Sequence, residues 1–150
     1  MKKVDIILPT FNCEKYIEET LNSIINQSYK YWKLIIVDDA SQDNTVKIIN
    51  KFLKDDRVNL IKLKKNKGAG FCRNLAIRVS NSKYVAFIDS DDIWKNENLN
   101  KQLNQMDNEN LGFSYTDYTP FKEINGVKKM KKTITLPKSF NYISFIKKTS

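Results

Sequence analysis

Short apolar runs alternate along the chain with stretches whose apolar positions recur at helical spacing. Residues 4–8 are an apolar run closed by Pro9, the pattern of a buried strand stopped by a residue without an amide hydrogen. Residues 14–27 carry Tyr16, Ile17, Leu21, Ile24 and Ile25 at helical intervals. Glu14, Glu18 and Glu19 sit where the helix dipole favours acids, and Asn12 is the expected N-cap. Residues 32–37 predict a second buried strand. Residues 45–53, with Val46, Ile49 and Phe52 on one side, predict a second helix capped by Asp43 or Asn44. A strand over 58–63, a helix over 69–79, a strand over 84–88, a helix over 99–106 and a strand over 112–118 continue the series. Beyond it, Asn125-Gly126 between polar runs signals a hairpin, and residues 140–146 a short last helix.

Repeated strand–helix units imply a mostly parallel sheet flanked by helices, an α/β fold of Rossmann-like character. Ligands of such sheets bind at the carboxyl ends of the strands. That rule singles out residues 9–14, 38–43, 64–73 and 89–92, each of which follows a predicted strand and is polar. No internal repeat interrupts the pattern.

At 150 residues the chain suffices for one such domain with a real core. It contains no histidine, which removes Ser-His-Asp and Cys-His catalysis and histidine-ligated metals. Cys13 and Cys72 are far apart and form no CxxC pair, so a zinc cluster is excluded and both read as ordinary semi-buried residues. The net charge of +9 is uneven: residues 119–150 hold 8 basic residues and 1 acidic residue. Lys122, Lys128, Lys129, Lys131, Lys132 and Lys138 make a tail that suits a phosphate-bearing substrate or an acidic membrane surface, or else a solvated lysine edge. No RNA-binding aromatic signature or zinc pattern accompanies it, so no nucleic-acid partner is expected. No run approaches the ~18 apolar residues of a membrane span. Asp5 and Pro9 leave no room for a signal-peptide core. The expected location is the cytoplasm, or the inner face of the plasma membrane.

The polar loops carry the candidate chemistry. Asp89-Ser90-Asp91-Asp92 places three carboxylates in four residues after a strand. Hard oxygen donors of this kind suit Mg²⁺ or Mn²⁺ with a diphosphate as co-ligand, although an acidic turn also serves as a helix cap. Asp38-Asp39 ends the second strand, where a carboxylate can accept from a base or ribose or simply cap a turn. Asn66-Lys67-Gly68-Ala69-Gly70-Phe71-Cys72-Arg73 runs from a loop into a helix N-terminus, whose amides join Lys67 and Arg73 in an anion site. Arg73 stands where a dinucleotide fingerprint needs its third glycine, and no GxxxxGK[ST] occurs, so NAD, FAD and P-loop ATP binding are rejected.

Four ordered segments, Ile-Leu-Pro-Thr-Phe-Asn-Cys-Glu, Ile-Val-Asp-Asp-Ala-Ser, Asn-Lys-Gly-Ala-Gly-Phe-Cys-Arg-Asn and Phe-Ile-Asp-Ser-Asp-Asp, resemble the family 2 glycosyltransferases of the GT-A fold over about residues 4–118. The resemblance implies metal-dependent, inverting transfer of a sugar from a nucleoside diphosphate donor, often a UDP-sugar. The acceptor is a saccharide or lipid-linked, as in surface-polysaccharide or glycolipid synthesis. It implies that Pro9, Thr10 and Asn12 line the nucleotide pocket with Glu14 nearby, that Asp39 contacts the base, and that Lys67 and Arg73 face the base or diphosphate. Asp89 then approaches the ribose and Asp91 binds Mn²⁺ or Mg²⁺, with Asp92 as a second metal candidate. The family places its catalytic base in a later, acceptor-binding part, and beyond the fourth motif the only carboxylate to propose is Asp117. The chain is therefore expected to be one GT-A-type domain over 1–150. Residues 1–118 form its nucleotide-sugar-binding part and 119–150 the start of an incomplete acceptor part. Such a chain binds donor, transfers poorly alone, and exposes a surface suited to self-association. The alternative is a non-catalytic module that binds a nucleotide-sugar or an anionic lipid.

Overall fold

The computed structural model describes residues 2–124 and 127–137. Ten elements follow in the order β1 (Val4–Thr10), α1 (Ile17–Ile25), β2 (Trp32–Asp38), α2 (Thr45–Asn50), β3 (Val58–Lys62), α3 (Ala69–Val79), β4 (Tyr84–Phe87), α4 (Asn98–Asn108), β5 (Phe121–Ile124) and β6 (Val127–Met130). Contacts divide the chain into two compact units, 1–104 and 105–150, with the boundary inside α4.

The first unit is built on a four-stranded, all-parallel sheet in the order β3-β2-β1-β4. Every residue of β1 is buried, which explains why it reads as an apolar run with Asp5 as its one charged position. Side chains alternate across it. Val4, Ile6 and Leu8 join Leu34 and Ile36 against Ile17, Leu21 and Ile24 of α1, Ile49 of α2 and Leu99 and Leu103 of α4. Ile7, with Ile35 and Val37 of β2, meets Cys72 and Ala76 of α3 on the opposite face. One sheet with helices on both faces is the arrangement the alternating pattern predicts.

Several boundaries differ from expectation for local reasons. β1 runs through Pro9 to Thr10. The Ile7 carbonyl accepts from Ile88 on the β4 side, and the Thr10 carbonyl from Asp39 on the β2 side. Pro9 shares the parity of Ile7, so its missing N–H faces β4, beyond the last β1–β4 pair, Ile7↔Phe87. No ladder bond is lost there. Helix α1 starts at Ile17 rather than Glu14 and has Tyr16, not Asn12, at its N-cap. Asn12 instead adopts φ 46 and bonds to the next loop. The strand expected over 112–118 does not form: only Tyr118 makes an isolated bridge, to Ile134. Its alternating pattern finds no ladder partner among the described residues, and Phe113 is 67% exposed.

In the second unit, β5 and β6 pair antiparallel, from Phe121↔Met130 to Ile124↔Val127. The turn residues Asn125 and Gly126, and the helix expected over 140–146, lie outside the described residues. Among the described residues no helix is long and apolar enough to cross a membrane.

Candidate functional site

The sheet opens where β1 outruns β4. The connection from β1 leads across to β2 and the chain returns to β4 on β1's other side, so this gap is the topological switch point. A pocket of ≈ 280 Å³ occupies it. Pro9 and Thr10 line it from β1, Phe11 from the loop that follows, Asp39 from the β2 loop, Ala69, Cys72 and Arg73 from α3, and Asp89, Ser90 and Asp91 from the β4 loop. Its size suits part of a nucleotide-sugar rather than the whole ligand.

Two adjacent aspartates divide the work of the β2 loop. Asp38 accepts from the Thr10 hydroxyl at 3.2 Å, from the Ser41 hydroxyl at 2.6 Å and from the Ser41 amide at 3.0 Å, so it ties the turn to β1. Asp39 accepts from the Lys67 amide and the Gly68 amide, each at 2.7 Å. It thereby fixes the loop into α3, where Gly68 takes φ 85, a conformation open to glycine and strained for other residues. Helix α3 has no side-chain cap bond, and its first residue, Ala69, lines the pocket, so uncapped amides lie at the pocket's edge. Behind it, burial first and then the charge of Asp39 push the Cys72 thiol up to about 11, and burial also raises Cys13. Neither cysteine is a poised nucleophile.

Asn12 and Glu14 do not line the pocket but brace the loops that do. The Asn12 side chain accepts from the Gln42 amide at 2.8 Å, and its own amide donates to the Ser41 hydroxyl at 3.0 Å. Glu14 accepts from the amide and side chain of Asn44, both at 2.8 Å. Its amide donates to Asp43. Burial alone would raise the Asp43 carboxyl, but bonds from Thr45 and Glu14 outweigh it and hold the group below the ordinary range. Lys67 also stands outside the lining, with its ammonium 5.6 Å from the centre of the Phe71 ring.

Across the pocket, Arg73 forms an ion pair with Asp89, so two residues expected to touch the ligand separately also orient each other. Asp91 lines the pocket next to this pair. Desolvation, then the charges of Asp91 and Asp89, raise the Asp92 carboxyl above the ordinary range, an environment that a cation would relieve. No group of three or more metal-ligating side chains converges among the described residues. A divalent ion here would take Asp91, with Asp92 as the second donor, and complete its shell from diphosphate oxygens and water, as Mg²⁺ commonly does. The donor set fits such an ion. Asp117 lies in the second unit, where its carboxylate accepts from the Leu136 amide at 2.8 Å.

The sequence pattern passed over Thr20, whose hydroxyl donates to the Ser90 carbonyl at 3.0 Å and holds the acidic turn from behind. The signal was a threonine in step with Ile17, Leu21 and Ile24 on the apolar stripe of α1. Phe11, Ala69, Cys72 and Ser90 were also missed as pocket residues, being apolar or small.

The fold and its pocket define the class, a parallel α/β protein with a pocket of polar residues at the switch point of its sheet. The chain belongs to Glycosyl transferase family 2, whose profile matches residues 5–149, and its fold is the GT-A fold of that family. A UDP-Glc:alpha-D-GlcNAc-diphosphoundecaprenol beta-1,3-glucosyltransferase of Escherichia coli, WfaP, is 38% identical over 98% of this chain and 57% of its own length. The 1–349 fragment of Staphylococcus aureus TarS in complex with UDP-GlcNAc superposes with TM-score 0.68 at 31% identity, over 83% of this chain and 36% of that fragment. The mannosyltransferase PcManGT of Pyrobaculum calidifontis, in complex with GDP-Man and Mn²⁺, gives TM-score 0.66 at 26% identity, over 70% of this chain and 32% of its own. The chain thus spans 57–58% of the length of the curated relatives it matches first.

Proposed function

We propose that this chain is the nucleotide-sugar-binding part of a metal-dependent, inverting glycosyltransferase. It takes a UDP-sugar as donor and serves a saccharide or lipid-linked acceptor in surface-polysaccharide synthesis. The observation that carries the reading is the convergence of Thr10, Asp39, the Arg73–Asp89 pair and Asp91 on one pocket at the sheet's switch point. The uridine choice is supported by the UDP-sugars named for two of the similar proteins.

In this reading the residues have separate tasks. Asp39, held rigid by two amides, presents the rest of its lone pairs to the base. The Arg73–Asp89 pair turns one carboxylate oxygen toward the ribose and keeps a positive charge near the diphosphate. The α3 N-terminal amides add a preorganised positive field for the same anion. Asp91 and Asp92 hold a divalent cation, which, when bound, neutralises the diphosphate and stabilises it as leaving group.

Calorimetric titration of UDP, GDP and dTDP, each with and without Mn²⁺, tests this assignment. Binding of UDP is expected to require Mn²⁺ and to weaken roughly tenfold or more, about 1.4 kcal/mol or above, in Asp91→Ala. Thermal unfolding of that variant should match wild type, because Asp91 is exposed. Metal-independent binding, or equal binding by Asp91→Ala, would remove the metal from the account.

A further inference from the structure

We propose that the β5–β6 hairpin docks this protein on an anionic lipid surface, with lysines meeting headgroup phosphates and an apolar pair entering between them. The proposal stands apart from the donor site and concerns the second unit alone.

The two faces of the hairpin differ. On one, Glu123 lies opposite Lys128, whose ammonium sits 4.8 Å from the centre of the Phe121 ring. That face answers its own charges. On the other, Lys122 lies directly opposite Lys129, a like-charge cross-strand pair, which is a destabilising arrangement in water. Two residues further along, and hence on the same face, Ile124 pairs with Val127. Ile124 is 39% exposed and Val127 61% exposed. Lys131 and Lys132 follow directly and are exposed as well. A lone two-stranded ladder is marginal in water unless a face is covered, and here the face of Lys122, Ile124, Val127 and Lys129 alternates ammonium and apolar groups, while the other carries Met130, 64% exposed.

The chemistry of that face selects its partner. A soluble polyanion would satisfy Lys122 and Lys129 but leave Ile124 and Val127 in water. A bilayer rich in acidic headgroups satisfies both, since lysines snorkel to phosphates while short apolar side chains enter the acyl boundary. The excess of lysine over acid from residue 119 onward supplies the longer-range attraction.

Co-sedimentation of the whole chain with vesicles tests this, comparing pure phosphatidylcholine with a mixture containing one-third phosphatidylglycerol. Binding is expected only to the mixture and should fade as salt shortens the screening length below about 10 Å. Removing Lys122 and Lys129 together, as Lys122→Gln with Lys129→Gln, should weaken partitioning roughly 25-fold, about fivefold per lysine. Ile124→Ser with Val127→Ser should also weaken it, at unchanged charge. Lys47→Gln with Lys54→Gln removes the same charge elsewhere and should leave binding near the wild-type level. All three variants should keep the wild-type circular dichroism and UDP titration, so a failure here is separable from a failure of the donor site. Equal binding to both vesicle types, no binding to either, or unaltered binding by the hairpin variants would overturn the proposal. So would binding of a random DNA duplex that depends on Lys122 and Lys129 while vesicles stay unbound, which would assign the face to nucleic acid.

Discussion

Replacing Asp5 by alanine is expected to cost about 2–4 kcal/mol of folding stability, the range for breaking a hydrogen-bond network centred on a buried carboxylate. Asp5 is the single acid inside the fully buried β1 strand. Its carboxylate accepts from the Ser80 hydroxyl at 2.7 Å, the Asn81 amide at 3.1 Å, the Ser82 amide at 3.2 Å and the Ser82 hydroxyl at 2.7 Å. These bonds stitch the turn between α3 and β4 to the N-terminal end of β1, beside the start of β4, the strand that leads to Asp89 and Asp91. Desolvation pushes the Asp5 carboxyl upward, but the four donors outweigh it and hold it below the ordinary value of 3.8. A carboxyl depressed in the folded state contributes stability that is present above its unfolded value and lost as pH falls through the folded one. Urea midpoints should therefore be flat near neutrality and drop in acid below about pH 4, and the acid drop should be smaller in Asp5→Ala. A change of under about 0.5 kcal/mol, typical of surface positions, would contradict this role.

The second large effect belongs to Asp39. Asp39→Ala removes the acceptor of both the Lys67 and Gly68 amides, each bonded at 2.7 Å, from a residue that is 3% exposed. The expected cost is about 2–3 kcal/mol, together with loss of UDP binding as the loop into α3 comes free. Asp39→Asn should recover little, because its NH₂ would face an amide N–H where an acceptor is needed. Urea unfolding and UDP titration on the two variants separate the effects. Full stability with UDP binding lost would make Asp39 a ligand contact alone. Full UDP binding at full stability in Asp39→Ala would contradict the role in both senses.

Much of the first unit was legible because its signals are local or periodic. Ala69–Val79 matched to the residue, since glycine marks its start and the apolar stripe its face. The parallel sheet followed from the repeated strand–helix units, whose inner strands β1 and β2 are mostly apolar. The ligand edge followed from topology, and six of the residues drawn from the motifs, Pro9, Thr10, Asp39, Arg73, Asp89 and Asp91, do share one pocket.

What was illegible depends on partners distant in sequence. Asn12 looks like a helix cap in its own segment, yet its side chain serves Gln42. Glu14 looks like an acid placed for a helix dipole, yet it holds Asn44. Both loops lie side by side only because β1 and β2 are neighbours, a fact that no local window contains. Thr20 carries a polar bond inside an apolar stripe for the same reason. The pattern over 112–118 failed in the opposite sense, because alternation proposes a strand and only a ladder partner makes one.

The central claim is that the switch-point pocket binds the diphosphate of the donor, with a divalent cation on Asp91. Anomalous scattering at the manganese edge, on crystals of the chain grown with UDP and Mn²⁺, measures this directly. The account predicts a manganese peak at the Asp91 carboxylate and UDP between Thr10 and the N-terminus of α3. UDP density outside that pocket, or manganese bound away from Asp91, would contradict it.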